Sequence, residues 1–257
     1  MGVEIEMIKI PKKEYELSRT TVTQKQWCDV MDTKPWKGKL YVMEGDDYPA
    51  VYVSWNDTVA FCERLSQMEG RTYRLPTEVE WEYACRAGAT TAYYFGDNAT
   101  ELDKYAWFDK NTWDINENYP HRVAQKLPNK FGLYDMHGNV WEWCDDLFDK
   151  EYRVLRGGSW YFSSVSCSAW CRLYLTPENR SNGFGFRLAR TLYPYDNRCQ
   201  YLSLISGLDV KARSEKNQNV FDFYLRKSGK IQIKTIFTYR KAKVFAQGVA
   251  VGRMCEK

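Results

Sequence analysis

The spacing of apolar positions predicts three helices in the first part of the chain, and each begins at a polar capping signal. Thr23 and Gln26 stand three residues apart, the spacing of a capping box, ahead of an apolar stretch around Trp27. A second helix is expected to start after Ser54 and to end at Gly70, a residue that readily adopts a left-handed helix end. Its apolar positions recur every three residues, as on the inner side of a half-buried helix: Val59, Cys62, Leu65 and Met68.

The third helix signal is a capping box of Thr77 and Glu80, and this helix is expected to run towards Gly88. Residues 89–150 are rich in glycine, asparagine, aspartate and aromatic side chains, a composition typical of loops with brief strands. Short strands are predicted at Val154–Leu155, at Phe186–Leu188 and over 231–237, the last pairing with 249–251. The pattern therefore indicates an α+β fold with long loops.

Composition places a boundary near Arg190. The chain has 257 residues, enough for one large domain or two small ones, and 44% of them are hydrophobic. Residues 191–257 hold 13 basic and 5 acidic side chains, whereas all ten tryptophans lie before Cys171. We expect a domain over 1–190 and a basic, β-rich or poorly ordered extension over 191–257. Few aromatic residues alternate with its basic ones, so a solvated face is favoured over a nucleic-acid site.

Several classes of function find no support in the sequence. The apolar runs are far shorter than the roughly 20 residues of a membrane-spanning helix, and acidic residues near Met1 stand where a signal peptide has basic ones. The eight cysteines form no Cys-x-x-Cys pair, and the two histidines are too few for a multi-histidine metal site. We expect buried free thiols. A nucleophilic pair of Cys144 and His137 would require a spatial contact that sequence does not show.

Five motifs, in order, carry a family resemblance. They are RLPTEVEWEYA at 74–84, FGD at 95–97, NKFGLYDMHGNVWEW at 129–143, RVLRGGSW at 153–160 and GFRL at 185–188. Together they resemble the formylglycine-generating-enzyme/sulfatase-modifying family, over about 15–190. The resemblance implies a large, loop-rich variant of the C-type lectin fold with a small antiparallel sheet.

Most motif residues are expected to serve the fold. Four charged residues lie in or beside the third helix, and we expect them to complement the charge at the helix end and to form ion pairs at the surface. They are Arg74, Glu78, Glu80 and Glu82. The motif glycines suit positive φ: Gly132, Gly138, Gly157 and Gly158. Trp141 and Trp143 are spaced as on one face of a strand and are expected in the core. In the resembling family, the stretch with Asn139 and Glu142 can help to hold a structural calcium ion, which prefers such oxygen ligands. The alternative is that Asn139 bonds its own turn.

The resemblance also implies a test for catalysis. Formylglycine-generating members use two cysteines, five residues apart, that bind copper and activate oxygen after the Gly-Gly-Ser string. Here the first position falls near Phe162, which cannot bind a metal, and Cys167 can match the second. A related branch uses a histidine–iron site, which two histidines do not supply. We therefore expect no enzymatic activity and no required cofactor.

The 160–184 segment departs from ordinary members of the family. The residues that ordinary members share in and beside this segment are retained, and we call them the skeleton, or framework, residues. They are Ser159, Trp160, Cys167, Arg172, Pro177, Asn179, Arg180, Gly185, Phe186 and Arg187. Most residues between them can arise when adenines in asparagine codons are replaced; Trp170 and Glu178 cannot. The pattern resembles the variable region of diversity-generating retroelement proteins of the Treponema variable-protein type. The resemblance implies display on a cell surface or phage particle.

This resemblance predicts a ligand-binding surface on a monomer, with a protein as the expected ligand. The apolar contact residues are Tyr161, Phe162, Trp170, Leu173, Tyr174, Leu175 and Phe184. The adaptable residues around them are Ser163, Val165, Ser166, Thr176, Asn179, Ser181 and Asn182. Aromatic anchors among small polar residues are also the composition of antibody paratopes. Arg172, Pro177, Arg180 and Arg187 are expected to hold the loops.

Two alternatives remain open at this point. One is a copper- and oxygen-dependent oxidase of sulfatase cysteines. The other is an accessory domain of a larger assembly, in which the 160–184 segment is buried. The residues after 190 also depart from the resemblance, because variable regions usually end their proteins.

Overall fold

The computed structural model describes residues 2–192 and three strands within 208–236. Contacts divide the chain into one unit of Met1–Leu192 and another of Tyr193–Lys257. The first unit contains helices α1 (Gln24–Met31), α2 (Trp55–Glu69) and α3 (Glu78–Arg86). Its strands are β1 (Met7–Lys9), β2 (Tyr15–Ser18), β3 (Tyr73–Arg74), β4 (Trp141–Leu147), β5 (Arg153–Arg156), β6 (Arg172–Leu175), β7 (Phe184–Gly185) and β8 (Ala189–Thr191). Short 3-10 helices span Ala99–Lys104, Asp109–Asn111, Trp113–Ile115 and Ser164–Cys167.

All three helix starts predicted from the sequence are present, and each one is a capping box. The side chains of Thr23, Ser54 and Thr77 accept from the backbone N–H three residues on, at 3.2–3.3 Å. Gly70 ends α2 with φ 66°. These signals involve neighbours in sequence only, which is why the helix starts could be predicted.

Two four-stranded sheets organise the first unit. One has the order β1-β2-β8-β3 and is antiparallel, and the other has the order β6-β5-β4-β7 with β7 parallel to β4. The predicted strand over Phe186–Leu188 is wrong: these residues link β7 to β8, from one sheet to the other. The carbonyls of Phe186 and Leu188 instead accept from the N–H groups of Val22 and Ser18, both at 2.9 Å.

The sheet that contains β4 separates two core clusters. Trp141 and Trp143 lie on the face towards the cluster that also contains Phe61 of α2, and both tryptophans are buried as predicted. Cys144 points to the opposite cluster, where Trp81 of α3 packs. Glu142, between the two tryptophans, is fully buried although it carries a carboxylate. The six cysteines that the structure describes are free thiols.

In the second unit, strands β9 (Leu208–Glu215), β10 (Gln218–Leu225) and β11 (Ile233–Ile236) form an antiparallel sheet with β10 in the middle. The strand expected within 231–237 is β11, whereas residues 249–251 lie outside the described residues. Across the described part of the chain, no helix has the length and hydrophobicity that crossing a membrane requires.

Candidate functional site

The 160–184 segment begins at buried Trp160, forms a 3-10 helix over Ser164–Cys167 and then becomes strand β6. Strand β6 lies at the edge of its sheet and pairs with β5, with Tyr174 opposite Val154. A loop then leads to β7. The segment therefore contributes two loops and the edge strand between them to one side of the fold.

The exposure of the predicted contact residues falls into three classes. The exposed residues are Ser163, Val165 (67%), Trp170 (52%) and Tyr174 (44%). The half-buried residues are Tyr161, Phe162, Ser166, Leu173, Leu175, Thr176, Asn179, Ser181 and Asn182. Phe184 is buried, at 8% exposure.

Strand geometry explains why neighbouring residues of the segment differ. Alternate side chains of a strand point to opposite faces, so Arg172 and Tyr174 lie on the exposed face of β6, and Leu173 and Leu175 pack against the core. Phe184 belongs to the core, where its ring meets Trp143 edge-to-face at 6.0 Å. The expectation that Phe184 is a surface anchor is therefore wrong.

The skeleton arginines hold the segment, as predicted. Arg172 pairs with Glu78 at 2.9 Å, and Arg180 binds both carboxylate oxygens of Asp57 at 2.8 and 2.9 Å. Arg187, two residues after the end of β7, is fully buried in an ion pair with Glu142 at 2.6 Å. Each of the three arginines thus ties the segment or its end to an element formed much earlier in the chain.

Two glycines permit close packing of the segment's backbone. A Cβ at Gly158, where φ is 80°, would lie 2.6 Å from Sγ of Cys167. A Cβ at Gly183 would lie 2.6 Å from Cε1 of Tyr161 and 3.0 Å from Oγ of Ser159. Side chains at these two positions would displace the loops that carry the exposed residues.

Aromatic residues outside the segment adjoin it, and sequence reasoning missed them. The ring of Phe148, in the turn between β4 and β5, stacks on Tyr174 at 4.0 Å between centroids. Tyr41 and Trp113 lie against Trp160, at 6.3 and 5.9 Å. Phe148 and Tyr41 stand in loops, and Trp113 begins a single 3-10 turn. None of these stretches has periodic hydrophobicity, so no sequence pattern marked the three residues.

Asn139 and Glu142, the residues expected near a calcium ion, bind protein groups in the structure. Oδ1 of Asn139 accepts from the N–H of His121, and its Nδ2 donates to the carbonyl of His121. Both carboxylate oxygens of Glu142 accept from Arg187, and Trp81 donates to one of them at 2.6 Å. A cation would have to displace a buried guanidinium, so this pair does not fit a calcium site. Asn139 instead ties the loop around His121, rather than its own turn.

The two cysteines of the 160–184 segment, both among the described residues, are not arranged as a copper-binding pair. Phe162 packs edge-to-face on Trp141 at 5.5 Å. Cys167 is buried in a cluster with Tyr93 and Phe108, and Cys171 packs against a different cluster. Burial raises the pKa of both thiols, which disfavours the thiolates that copper(I) requires.

The proposed Cys144–His137 nucleophile pair is not formed. Sγ of Cys144 donates to the carbonyl of Glu142, whereas His137 lies 3.9 Å from Sγ of Cys85. Burial raises the pKa of the Cys85 thiol and lowers the pKa of His137 to about 3. A neutral thiol beside a neutral, fully hydrogen-bonded imidazole is not an activated nucleophile.

The charged residues of α3 do more than the surface pairing expected of them. Arg74 and Glu80 form a partly exposed pair. Glu78 and Glu82, however, both bind Arg156, whose side chain is fully buried, at 3.0 and 2.7 Å. They fix β5, the strand from which the segment departs, against α3.

Replacing Phe184 by alanine is expected to lower the free energy of unfolding by about 3 kcal/mol, because a buried ring is lost from the core. Replacing Tyr174 should cost about 1 kcal/mol or less, since its ring is half exposed and stacks on Phe148 only at the surface. Urea unfolding measures both values. Similar losses for the two variants would contradict this division of the segment.

Comparisons with known proteins agree with this architecture. Residues 5–192 match the Sulfatase-modifying factor enzyme 1-like domain. A formylglycine-generating enzyme of Streptomyces coelicolor is 35% identical over 176 residues, which cover 56% of this chain and 52% of that protein. An inactive C-alpha-formylglycine-generating enzyme 2 of Bos taurus is 37% identical over 166 residues, covering 58% and 52%. The chain thus spans about half the length of these curated relatives.

Among solved structures, variable protein 1 of Treponema denticola superposes with a TM-score of 0.62. The two chains are 26% identical, and the alignment covers 74% of this chain and 93% of that one. These matches confirm the fold class and both resemblances that the sequence motifs indicated.

Proposed function

The chain belongs to the Sulfatase-modifying factor enzyme 1-like family, and from this premise we propose that it is a non-catalytic, ligand-binding variable protein. Its 160–184 segment is the diversified binding surface, and its ligand is a protein. It works as a monomer, needs no cofactor and is displayed on a cell surface or phage particle. Its likeness to a Treponema denticola variable protein, together with the codon pattern of the segment, supports this proposal.

One observation carries the proposal: exchangeable side chains and framework side chains alternate within the same segment. The exchangeable side chains of Val165 and Tyr174 are exposed, whereas the equally exposed Arg172 and Arg180 are engaged by carboxylates of α3 and α2. Exposed side chains can be replaced at little cost in stability. A surface of this kind can change its chemistry while its backbone stays in place.

The side chains at the positions of the family's copper ligands do not suit catalysis. The family's copper site requires two thiolates, and this chain has Phe162 near the first position and a deeply buried Cys167 for the second. The Bos taurus relative, described as inactive, shows that the family contains members without activity. The exposed apolar residues instead suit contact with a protein, because Trp and Tyr dominate the energetics of such interfaces.

A pair of display libraries tests the proposal. In the first, asparagine codons randomised at their adenines replace the codons of six exposed or half-buried contact positions: Tyr161, Ser163, Val165, Tyr174, Asn179 and Asn182. We expect most variants to stay folded and selection against purified proteins to yield binders of micromolar Kd or better. The matched control library randomises closely packed or buried positions instead: Gly158, Gly183 and Arg187. It should yield mostly unfolded chains.

Two outcomes would contradict the proposal. Equal loss of folding in both libraries would mean that the segment is structural, as in an accessory domain. Conversion of a Cys-x-Pro-x-Arg peptide by the copper-loaded protein, detected by mass spectrometry, would show oxidase activity.

A further inference from the structure

An exposed aromatic cluster outside the 160–184 segment lies directly against it. Tyr41 and Trp113 come from different loops and are each 48% exposed. Their ring centroids are 6.0 Å apart, and both rings contact Trp160. Trp160 contacts Tyr161 at 4.8 Å. The ring contacts therefore continue from these loops into the segment.

Two exposed aliphatic side chains stand close to these rings in the sequence. Leu40, next to Tyr41, is 75% exposed, and Ile115, two residues after Trp113, is 56% exposed. We call Leu40, Tyr41, Trp113 and Ile115 the flanking platform. Exposed apolar residues that cluster in this way mark interaction sites more often than isolated ones do.

Backbone strain occurs at the same place. Tyr41 and Tyr52 have φ of 58° and 57°, a left-handed conformation that aromatic residues rarely adopt. The N–H of Tyr52 donates to the carbonyl of Ser181 at 2.9 Å, and its hydroxyl donates to the carbonyl of Leu40 at 3.4 Å. Tyr52 thus connects the flanking platform to the segment, and such strain is concentrated at functional sites.

Two exposed lysines, Lys37 and Lys39, directly precede Leu40 and Tyr41 of the platform. The nearest acidic side chain after the platform loop is Glu44, which lines a separate pocket together with Lys34. The ammonium group of Lys39 lies 5.7 Å from the ring centroid of Tyr52. In the other part of the platform, the 3-10 helix Trp113–Ile115, the exposed carboxylate is that of Asp114.

We infer that the flanking platform is a constant half of the binding surface, and that the partner is a protein which presents an apolar patch edged by carboxylates. The inference rests on the proposed function and extends it: the 160–184 segment supplies the exchangeable contacts, and the platform supplies the same contacts to every partner. Leu40 and Ile115 favour a protein over a nucleic acid, because aliphatic side chains offer no stacking surface for bases.

The experiment uses full-length binders from the first library, selected against acidic proteins such as serum albumin. Trp113→Ala and Tyr41→Asn are introduced into at least three binders with different 160–184 sequences. Asparagine tolerates the left-handed backbone at position 41, so the loop is kept while the ring is removed. Each substitution should raise Kd about tenfold or more in every binder. Met68→Ala, which removes a 49% exposed side chain on α2, should leave Kd unchanged.

Association rates test whether the lysines beside the platform attract carboxylates of the partner. Lys39→Glu should slow association with acidic targets and speed association with basic targets such as lysozyme. Equal association rates before and after the change would overturn this part of the inference.

The remaining outcomes separate the inference from the proposal beneath it. Unchanged Kd in all Trp113→Ala and Tyr41→Asn binders would overturn the constant platform and leave the diversified segment intact. If a single-stranded oligonucleotide displaced the protein target, the platform would be a nucleic-acid site, and the inference of a protein partner would also be overturned. Failure of the first library to yield any binder would overturn the proposed function itself.

Discussion

Arg187→Met is expected to lower the free energy of unfolding by about 3–5 kcal/mol, because it leaves the carboxylate of Glu142 buried without its counter-charge. Both side chains are fully buried. The guanidinium binds both carboxylate oxygens at 2.6 and 2.7 Å and also donates to the carbonyls of Ser18 and Tyr134. Urea unfolding of the purified protein measures the loss.

A double variant distinguishes the lost charge pair from lost packing. With Glu142→Gln present, the Trp81 N–H keeps an acceptor and no charge remains to be compensated. Arg187→Met should then cost less than it does alone, by about 1–3 kcal/mol. As a matched control, Arg180→Met breaks the exposed pair with Asp57 and should cost about 1 kcal/mol or less. A cost for Arg187→Met as small as that of the control would contradict a structural role for the buried pair.

Acid is expected to destabilise the protein through His137, by about 4 kcal/mol between pH 6.5 and pH 3. Its Nε2 accepts from the N–H of Tyr94 at 3.1 Å, and its Nδ1 therefore donates to the carbonyl of Cys167 at 2.7 Å. Protonation would place an N–H against the N–H of Tyr94. Together with complete burial, this lowers the pKa to about 3 in the folded protein.

The sign follows from the two pKa values of His137. The folded protein binds a proton at lower pH than the unfolded chain, so the stabilisation is complete above about pH 6.5 and is lost as the pH falls towards 3. Asp135 acts in the opposite direction, because burial raises its pKa to about 6. Its carboxyl group favours the folded state most below about pH 4, and this benefit is lost as the pH rises to 6.

Unfolding free energies of the wild type and His137→Gln across this pH range test the prediction. The variant should lose the His137-dependent rise in stability with pH. An NMR titration of the wild type gives a second reading that does not require the variant to fold. The imidazole of His137 should stay neutral until the protein unfolds, and its titration near pH 6.5 in the folded state would refute the prediction.

Sequence alone determined the features that depend on neighbours in the chain. Capping boxes at Thr23, Ser54 and Thr77 bring together residues three positions apart, so their hydrogen bonds could be predicted from spacing. The order of five motifs identified the family and the fold. The alternation of framework and exchangeable residues in the 160–184 segment indicated a binding surface. This pattern is visible in the sequence because it depends on which amino acids an altered asparagine codon can encode.

The tertiary structure alone decided which side of the segment meets water and which charges are buried. Leu173 and Tyr174 are adjacent, but pairing of β6 with β5 turns one to the core and the other outward. The sequence suggested Glu142 as a ligand of a cation. In the structure both of its carboxylate oxygens accept hydrogen bonds from Arg187, which is 45 residues away in the chain. The contacts of Tyr41 and Trp113 with Trp160 join three separate loops. Local spacing encodes none of these contacts, because each depends on how distant elements pack.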